Sequence, residues 1–212
     1  MNQYKIDSAF RGLMTIALAW SPFNLLLAAE PSEDATAKDA AFKPIVEAEL
    51  PNGFPTYTPV GKIEVKQYPA ARMVRAKSSG DSAFWKLFMH IKSHNVAMSA
   101  PVQMEYRKDE KGETHRATMA FFYGDRKVGK IGPDGSVEVV DVPESKAVSI
   151  GLRGADSRTR ISSAREKLEG WLKEHPEYQA SGELRLMGYN SPFIPADKQF
   201  FEVQLPVKEV KK

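Results

Sequence analysis

A weak internal repeat constrains this chain more than any other feature of its sequence. Ile63–Pro69 aligns with Val137–Pro143, and the register runs on through Val74 with Val148 and Gly80 with Gly154. Five of eighteen positions are identical at a constant offset of 74. A helical pattern follows each copy, Ala83–His94 and then Ala164–His175 at an offset of 81, in which Ala83, Lys86, Leu87, Lys92 and His94 match Ala164, Lys167, Leu168, Lys173 and His175. Two matches in the same order argue for duplication of one supersecondary unit, over about 60–123 and 137–207.

Each unit reads as strand, helix, strand, strand. In the first, 63–76 is rich in β-formers with a break at Pro69, 82–94 is helical, and 98–107 with 115–123 reads as a hairpin. The alternation of His115, Ala117, Met119, Phe121 and Tyr123 marks one largely apolar face. A turn-rich connector over 124–135 ends in Asp134-Gly135, a tight-turn signal. In the second unit 137–152 is strand, and 160–175 is helix, with Ser163 and Glu166 spaced as a capping box and Pro176 as its stop. The segments 182–189 and 199–207 complete the set. Two such units, with each first strand region counted as two strands across its aligned proline, Pro69 or Pro143, give an α+β fold of eight strands and two helices around one core.

The ends of the chain read differently. Lys5 and Arg11 precede an apolar stretch, Gly12–Leu27, and Ala28-Ala29 stands before the acidic Glu30 and Glu33, so 1–29 reads as a secretory signal peptide and the protein as periplasmic or otherwise exported. Membrane association is expected only through this segment if it stays uncleaved; Pro22 and Asn24 interrupt it as a span. Residues 30–58 read as a poorly ordered or extended linker with Pro44, Pro51 and Pro55, leaving 59–212 as the domain. From Glu30 onward the chain carries 28 basic and 26 acidic residues, too balanced to imply a nucleic-acid partner. The absence of cysteine excludes disulfides, thiolate metal sites and cysteine nucleophiles.

The two aligned helices are not alike. The second has one apolar stripe of Ile161, Ala164, Leu168, Trp171 and Leu172. The first has its own, from Phe84, Leu87, Phe88 and Ile91, but adds Trp85 and Met89 more than about 100° from that stripe's centre, where the second helix carries Glu166 and Gly170. Trp85 and Met89 are neighbours on the helix surface, with Lys92 on the same side and Lys86 nearby, so they read as the wall of an apolar ligand site. The competing reading is that a loop or the linker covers them. His90 and His94, four apart, have metal-ligand spacing, but His94 aligns with His175 and both sit where a helix dipole favours histidine. That reading makes them structural and assigns no metal. The run Arg153, Arg158, Arg160 and Arg165 reads as a solvated loop, since Asp156 and Glu166 lie among them. No nucleophile elbow, His-Glu-x-x-His or phosphate-binding glycine motif is present, and an enzyme is not expected.

Asn95-Val-Ala-Met-Ser-Ala-Pro-Val-Gln-Met104 resembles the signature segment of the SOUL heme-binding family. Ile63–Ala71 resembles that family's first strand, and Gly188-Tyr189, Pro192 and Phe201–Val207 its closing pattern. The resemblance implies a distorted antiparallel barrel flanked by two helices, an architecture also used by effector-binding domains of bacterial regulators. It implies a tetrapyrrole or other apolar small molecule as partner, with heme as the implied cofactor. No axial ligand is assigned, because no histidine precedes the first helix within the domain; His90 or His94 is a substitute candidate, and Met98 or Met104 could offer a thioether. Related effector-binding domains place a strand glutamate against a cationic ligand, which makes Glu202 a candidate beside the simpler reading of an exposed strand carboxylate. The alternatives are an effector-type module for another apolar molecule, or an envelope enzyme acting on such a ligand.

Overall fold

In the computed structural model, residues 39, 42–77, 82–108 and 114–210 are described. The signal-peptide reading of 1–29 and the Gly80 position of the repeat lie outside them. Among the described residues ten strands form one sheet: β1 (Ile63–Tyr68), β2 (Ala71–Ala76), β3 (Val102–Lys108), β4 (Thr114–Phe122), β5 (Gly132–Asp134), β6 (Val137–Val142), β7 (Ser145–Arg153), β8 (Tyr178–Ala180), β9 (Leu184–Gly188) and β10 (Phe200–Glu209). Helix α1 is Ala83–Ser93 and α2 is Arg158–Glu174. The eight expected strands are present; β5 and β8, three residues each, were not expected.

The strand order is β1-β7-β10-β9-β3-β4-β2-β6-β5, every pair antiparallel, with β8 beside β10. Leaving out the two short strands, this order is a palindrome of the repeat: each half contributes its last two strands to the centre, and each half's first strand lies on the other half's second. The registers agree as well. Ile63 stands opposite Ile150 and Val137 opposite Ala76, which is one pairing made twice at the offset of 74. Met104 faces Leu186 across the β3–β9 pair, the centre of the palindrome.

The sheet is not a closed barrel. It begins at β1 and ends at β5, with no hydrogen-bonded pairing between those ends. Two-residue links, Pro69-Ala70 and Pro143-Glu144, nevertheless carry the chain from one end of the order to the other. Three peptide steps reach at most about 11 Å, so the sheet must curl until its ends are neighbours. Tyr68 and Ala147 from one end share an apolar cluster with Ala71 and Met73 from the other, together with Ala120, Phe122 and Met187. Proline has no N–H to give to a ladder, which is why both strands break where the chain must cross the gap.

Each helix covers the outer face of one half. Ala83, Leu87 and Ile91 of α1 pack on Val74, Met119, Phe121 and Val139. Ile161, Ala164 and Leu168 of α2 pack on Val148, Ile150, Val203 and Leu205. Ser157, not Ser163, caps α2: its side chain accepts from the Arg160 N–H at 3.4 Å, which moves the helix start two residues upstream of the expected 160 and puts Ser163 and Glu166 inside the helix. The Asp134-Gly135 signal stands at the two-residue turn of the β5–β6 hairpin, where Gly135 has φ +56°.

Residues 42–58 form no helix or strand, but they pack on the domain more closely than their composition predicts. Phe54 meets Tyr68 and Phe122 edge-on at 5.2 and 4.9 Å, Tyr57 meets Phe200 at 5.5 Å, and the Ala100 N–H donates to the Glu49 carbonyl. Thr58 is buried against β7 at Gly151, where any Cβ would collide with the Thr58 carbonyl oxygen.

Candidate functional site

An apolar groove of about 410 Å³ opens between α1, the 98–104 segment and the loop after β9. Phe84, Trp85 and Phe88 of α1 form one side. Phe84 anchors that side, its ring edge-on to the buried Phe121 at 5.3 Å, and Trp85 stands edge-on to both Phe84 and Phe88. Met98, Ser99, Ala100 and Val102, the segment that carries the signature resemblance, line the groove with Met104 and Met119. Ser99 is fixed there by donating to the Phe122 carbonyl at 2.7 Å. Gly188–Phe193 completes the lining, and Phe193 is 90% exposed.

The loop is held by the segment read as linker. Glu47 accepts from the Ser191 N–H at 2.6 Å and the Ser191 hydroxyl at 2.8 Å, and Asn190 donates to the Ile45 carbonyl. The Ser191 backbone bond holds the Glu47 carboxyl below its usual range. Glu47 and Ala48 therefore form a rim of the groove, while Trp85 and Met89 stay 62% and 58% exposed. Among the described residues, neither loop nor linker covers them.

The six residues singled out from the sequence do not converge. Trp85 lines the groove, whereas Met89 lies a turn further along the exposed face, with Lys92 exposed and Lys86 half-buried. His90 is buried: its Nδ1 lies 2.7 Å from Asp134 Oδ2 and its Nε2 2.8 Å from the Tyr123 hydroxyl. Among the groove-lining residues there is no histidine, lysine or arginine.

Glu202 is not the exposed strand carboxylate of the simpler reading; it is wholly buried inside the curled sheet. Five donors surround it: the Thr58 N–H at 2.6 Å, Lys66 Nζ at 2.7 Å, Ser149 Oγ at 2.9 Å, Gln204 Nε2 at 2.6 Å and the Tyr189 hydroxyl at 3.2 Å. Burial pushes the Lys66 ammonium pKa down, against the pull of Glu202, and pushes the Tyr189 phenol well up. A carboxylate so fully bonded has no capacity left for a cationic ligand. A second cavity, of about 200 Å³, adjoins this interior and is bordered by Tyr68, Gln103 and Arg185. The arginine run is structural: Arg153 donates to the Asp197 carbonyl, Arg160 to the carbonyls of Ala155 and Arg153, and Arg165 pairs with Glu169.

Sequence reasoning missed the groove's second wall. Phe193 and Pro192 sit in a short loop between β9 and β10, and Glu47 lies 144 residues away from its partner Ser191. The usable signal was the apolar run Pro192-Phe193-Ile194 between two expected strands.

No curated protein sequence gave a significant match. Among solved structures, the C-terminal domain of EcmrR superposes with a TM-score of 0.51 at 17% identity, covering 70% of this chain and 98% of that one. An uncharacterized conserved protein from Listeria innocua gives 0.53 at 13% identity, covering 72% and 95%. A hydrolase from the same organism gives 0.50 at 12% identity, covering 72% and 94%. At such identities the likeness is one of fold. A family model described as SOUL heme-binding protein matches residues 54–206, most of the sequence, and the chain belongs to that family.

Proposed function

We propose that this chain is an exported, non-enzymatic binder of heme or another tetrapyrrole, which takes the flat macrocycle in the groove beside α1. The observation that carries the reading is the groove itself: its volume of about 410 Å³ falls in the usual range of roughly 300–1,000 Å³ for small-molecule sites, and its walls are almost wholly apolar. Trp85 and Phe193 offer exposed rings, and family membership supplies the ligand class. The donor set fits a macrocycle held by apolar contact. Met98, Met104 and Met119 are the soft donors in the lining, so an iron ligand, where there is one, is a thioether. Lys92 and Lys86 lie outside the lining and would meet propionates only at the mouth. The titratable groups of the lining, Glu47 and Tyr189, are both committed to hydrogen bonds within the protein, which supports binding over turnover.

The test is titration of the purified protein with hemin and, separately, with iron-free protoporphyrin. We expect saturable one-to-one binding of both at micromolar protein, with a shifted Soret band. Absence of saturation with either rejects a tetrapyrrole, and chemical conversion of the bound ligand would favour an enzyme.

A further inference from the structure

The end of α1 away from the groove carries an arrangement that apolar ligand binding does not use. His90, His94 and Asp134 offer ligand atoms that all lie within 4.8 Å of one another, and none of the three lines the groove. The two rings are 4.3 Å apart, and one carboxylate oxygen, Asp134 Oδ2, faces both: 2.7 Å from His90 Nδ1 and 3.6 Å from His94 Nε2.

The hydrogen bonds fix which nitrogens carry lone pairs. His94 Nδ1 lies 3.0 Å from the His90 carbonyl oxygen, which only accepts, and 3.1 Å from Ser93 Oγ, whose own hydrogen goes to that same carbonyl at 2.9 Å, so Nδ1 holds the hydrogen. With Nδ1 so engaged, the lone-pair side of Nε2 in the neutral ring faces a carboxylate, an arrangement relieved by a proton or by a metal cation held between them. His90 is held from behind. The Tyr123 hydroxyl lies 2.8 Å from Nε2. If the His90 proton moves from Nδ1 to Nε2, where it donates to the Tyr123 oxygen, Nδ1 becomes a ligand too. A histidine whose far nitrogen is held by a polar group is the usual state of a metal-bound imidazole.

The repeat provides an internal control. His175 occupies the place of His94 and makes the same anchor, with Nδ1 2.8 Å from the Trp171 carbonyl. Its neighbour four residues back is Trp171, stacked on it at 3.7 Å, where the first half has His90. The shared anchor explains one histidine in each half; it does not explain His90 or the carboxylate brought in by the β5–β6 turn.

We infer that His90 Nδ1, His94 Nε2 and the Asp134 carboxylate form a binding site for one divalent transition-metal ion of the zinc class. Two imidazoles and one carboxylate suit such an ion, and the fourth position would be open to solvent. Metal–ligand bonds of about 2.0–2.2 Å set donors roughly 3.4 Å apart in a tetrahedral site. The 3.6 Å separation already meets this, and the 2.7 Å one has to lengthen. Asp134, half exposed at a hairpin turn, has the freedom to do so. The site stands independently of the tetrapyrrole reading, and its test contains no porphyrin.

The experiment is calorimetric titration of the full, untagged protein with Zn²⁺, with Co²⁺ as a visible-absorption probe. One equivalent should bind and raise Tm, and Co²⁺ should give the intense absorption of a four-coordinate site. Asp134→Asn and His94→Ala should each weaken Zn²⁺ binding at least tenfold while the metal-free far-UV spectrum stays unchanged. Tyr123→Phe should weaken it by roughly 10-fold or more through His90, and His175→Ala should leave it unaltered. Lack of saturable uptake at about 100 μM Zn²⁺, or wild-type affinity in either the Asp134 or the His94 variant, overturns the site.

Discussion

In the second half of the molecule, Trp171, His175 and Tyr178 pack as a ring cluster beneath the end of α2, with Trp171 also against the apolar core. In the first half, His90 stands where the second has Trp171 and belongs to a His–His–Asp group, while another side of α1 presents Trp85 and Met89 to solvent. The sheet interior differs in the same way. Phe121 faces Val74 as Leu205 faces Val148, so Glu202 and Gln204 correspond to Thr118 and Ala120, and Lys66 to Val140. Duplication kept the frame and the core contacts of both helices, Ala83 and Leu87 on one side and Ala164 and Leu168 on the other. What diverged is what the frame did not need. The β1–β7–β10 end of the sheet, where the first half's Lys66 meets the second half's Glu202, took up the buried charge network, and the first helix took up the exposed apolar face, which is where binding function is free to arise.

The sharpest way to break that contrast is to remove one charge from the interior. Lys66→Ala leaves Glu202 buried without its cation and should destabilise the fold by about 3–5 kcal/mol in urea unfolding. Replacing both partners with apolar residues of similar size, Lys66→Met with Glu202→Leu, should recover most of that loss. Val140→Ala at the matching, half-buried position should cost only about 1 kcal/mol. Equal losses from Lys66→Ala and Val140→Ala would show that the halves are energetically alike.

The helix tryptophans come next. Trp171→Ala should lower stability by about 2 kcal/mol, less than a full core deletion because the ring is only partly buried. Trp85→Ala should change stability by less than about 0.5 kcal/mol and weaken tetrapyrrole binding roughly 10–100-fold, or about 1–3 kcal/mol. Phe193→Ala should act like Trp85→Ala. A Trp85 variant that unfolds early and binds normally would make that face structural and move the ligand elsewhere.

The smallest effect concerns the rim. The Glu47 carboxyl has a lowered value in the folded protein, so its contribution is fully present above the ordinary glutamate value of about 4.3 and is lost as the pH falls through the lowered one. The Ser191 amide resonance should titrate with a midpoint below about 4.3. Glu47→Gln should remove the titration and loosen the 190–193 loop without changing global stability. A midpoint above the ordinary value would mean that Glu47 does not hold the loop.

Much of this was legible in the sequence, and the failures share a cause. Strands and helices followed from local periodicity, and the place of Trp85 and Met89 off the apolar stripe followed from the helix repeat. Which strands pair did not, because β1 and β6 each lie on the half that is remote in the chain. Trp85 lies on the groove's helical wall, but nothing pointed to the loop opposite, since Glu47 and Ser191 meet only in three dimensions. Phe54 and Tyr57 were hidden among prolines that read as a linker. Asp134 read as a turn residue, and only the fold brings it to His90. The barrel expectation failed at closure, where the two-residue links bring the sheet's ends together without pairing them.

The crossed placement of β1 and β6 also determines how the molecule can be made. A single repeat, synthesised alone, would have its first strand with no place to lie except on another copy, so its natural state is a symmetric dimer with exchanged strands. Fusing two such copies turns that exchange into an intramolecular one, and β1 must then wait for β7, more than seventy residues later in the chain, before its ladder can form. Folding of the first half is therefore contingent on the second. Two fragments separated in the 124–131 connector should remain incomplete apart and assemble on mixing, each supplying the strand that the other lacks.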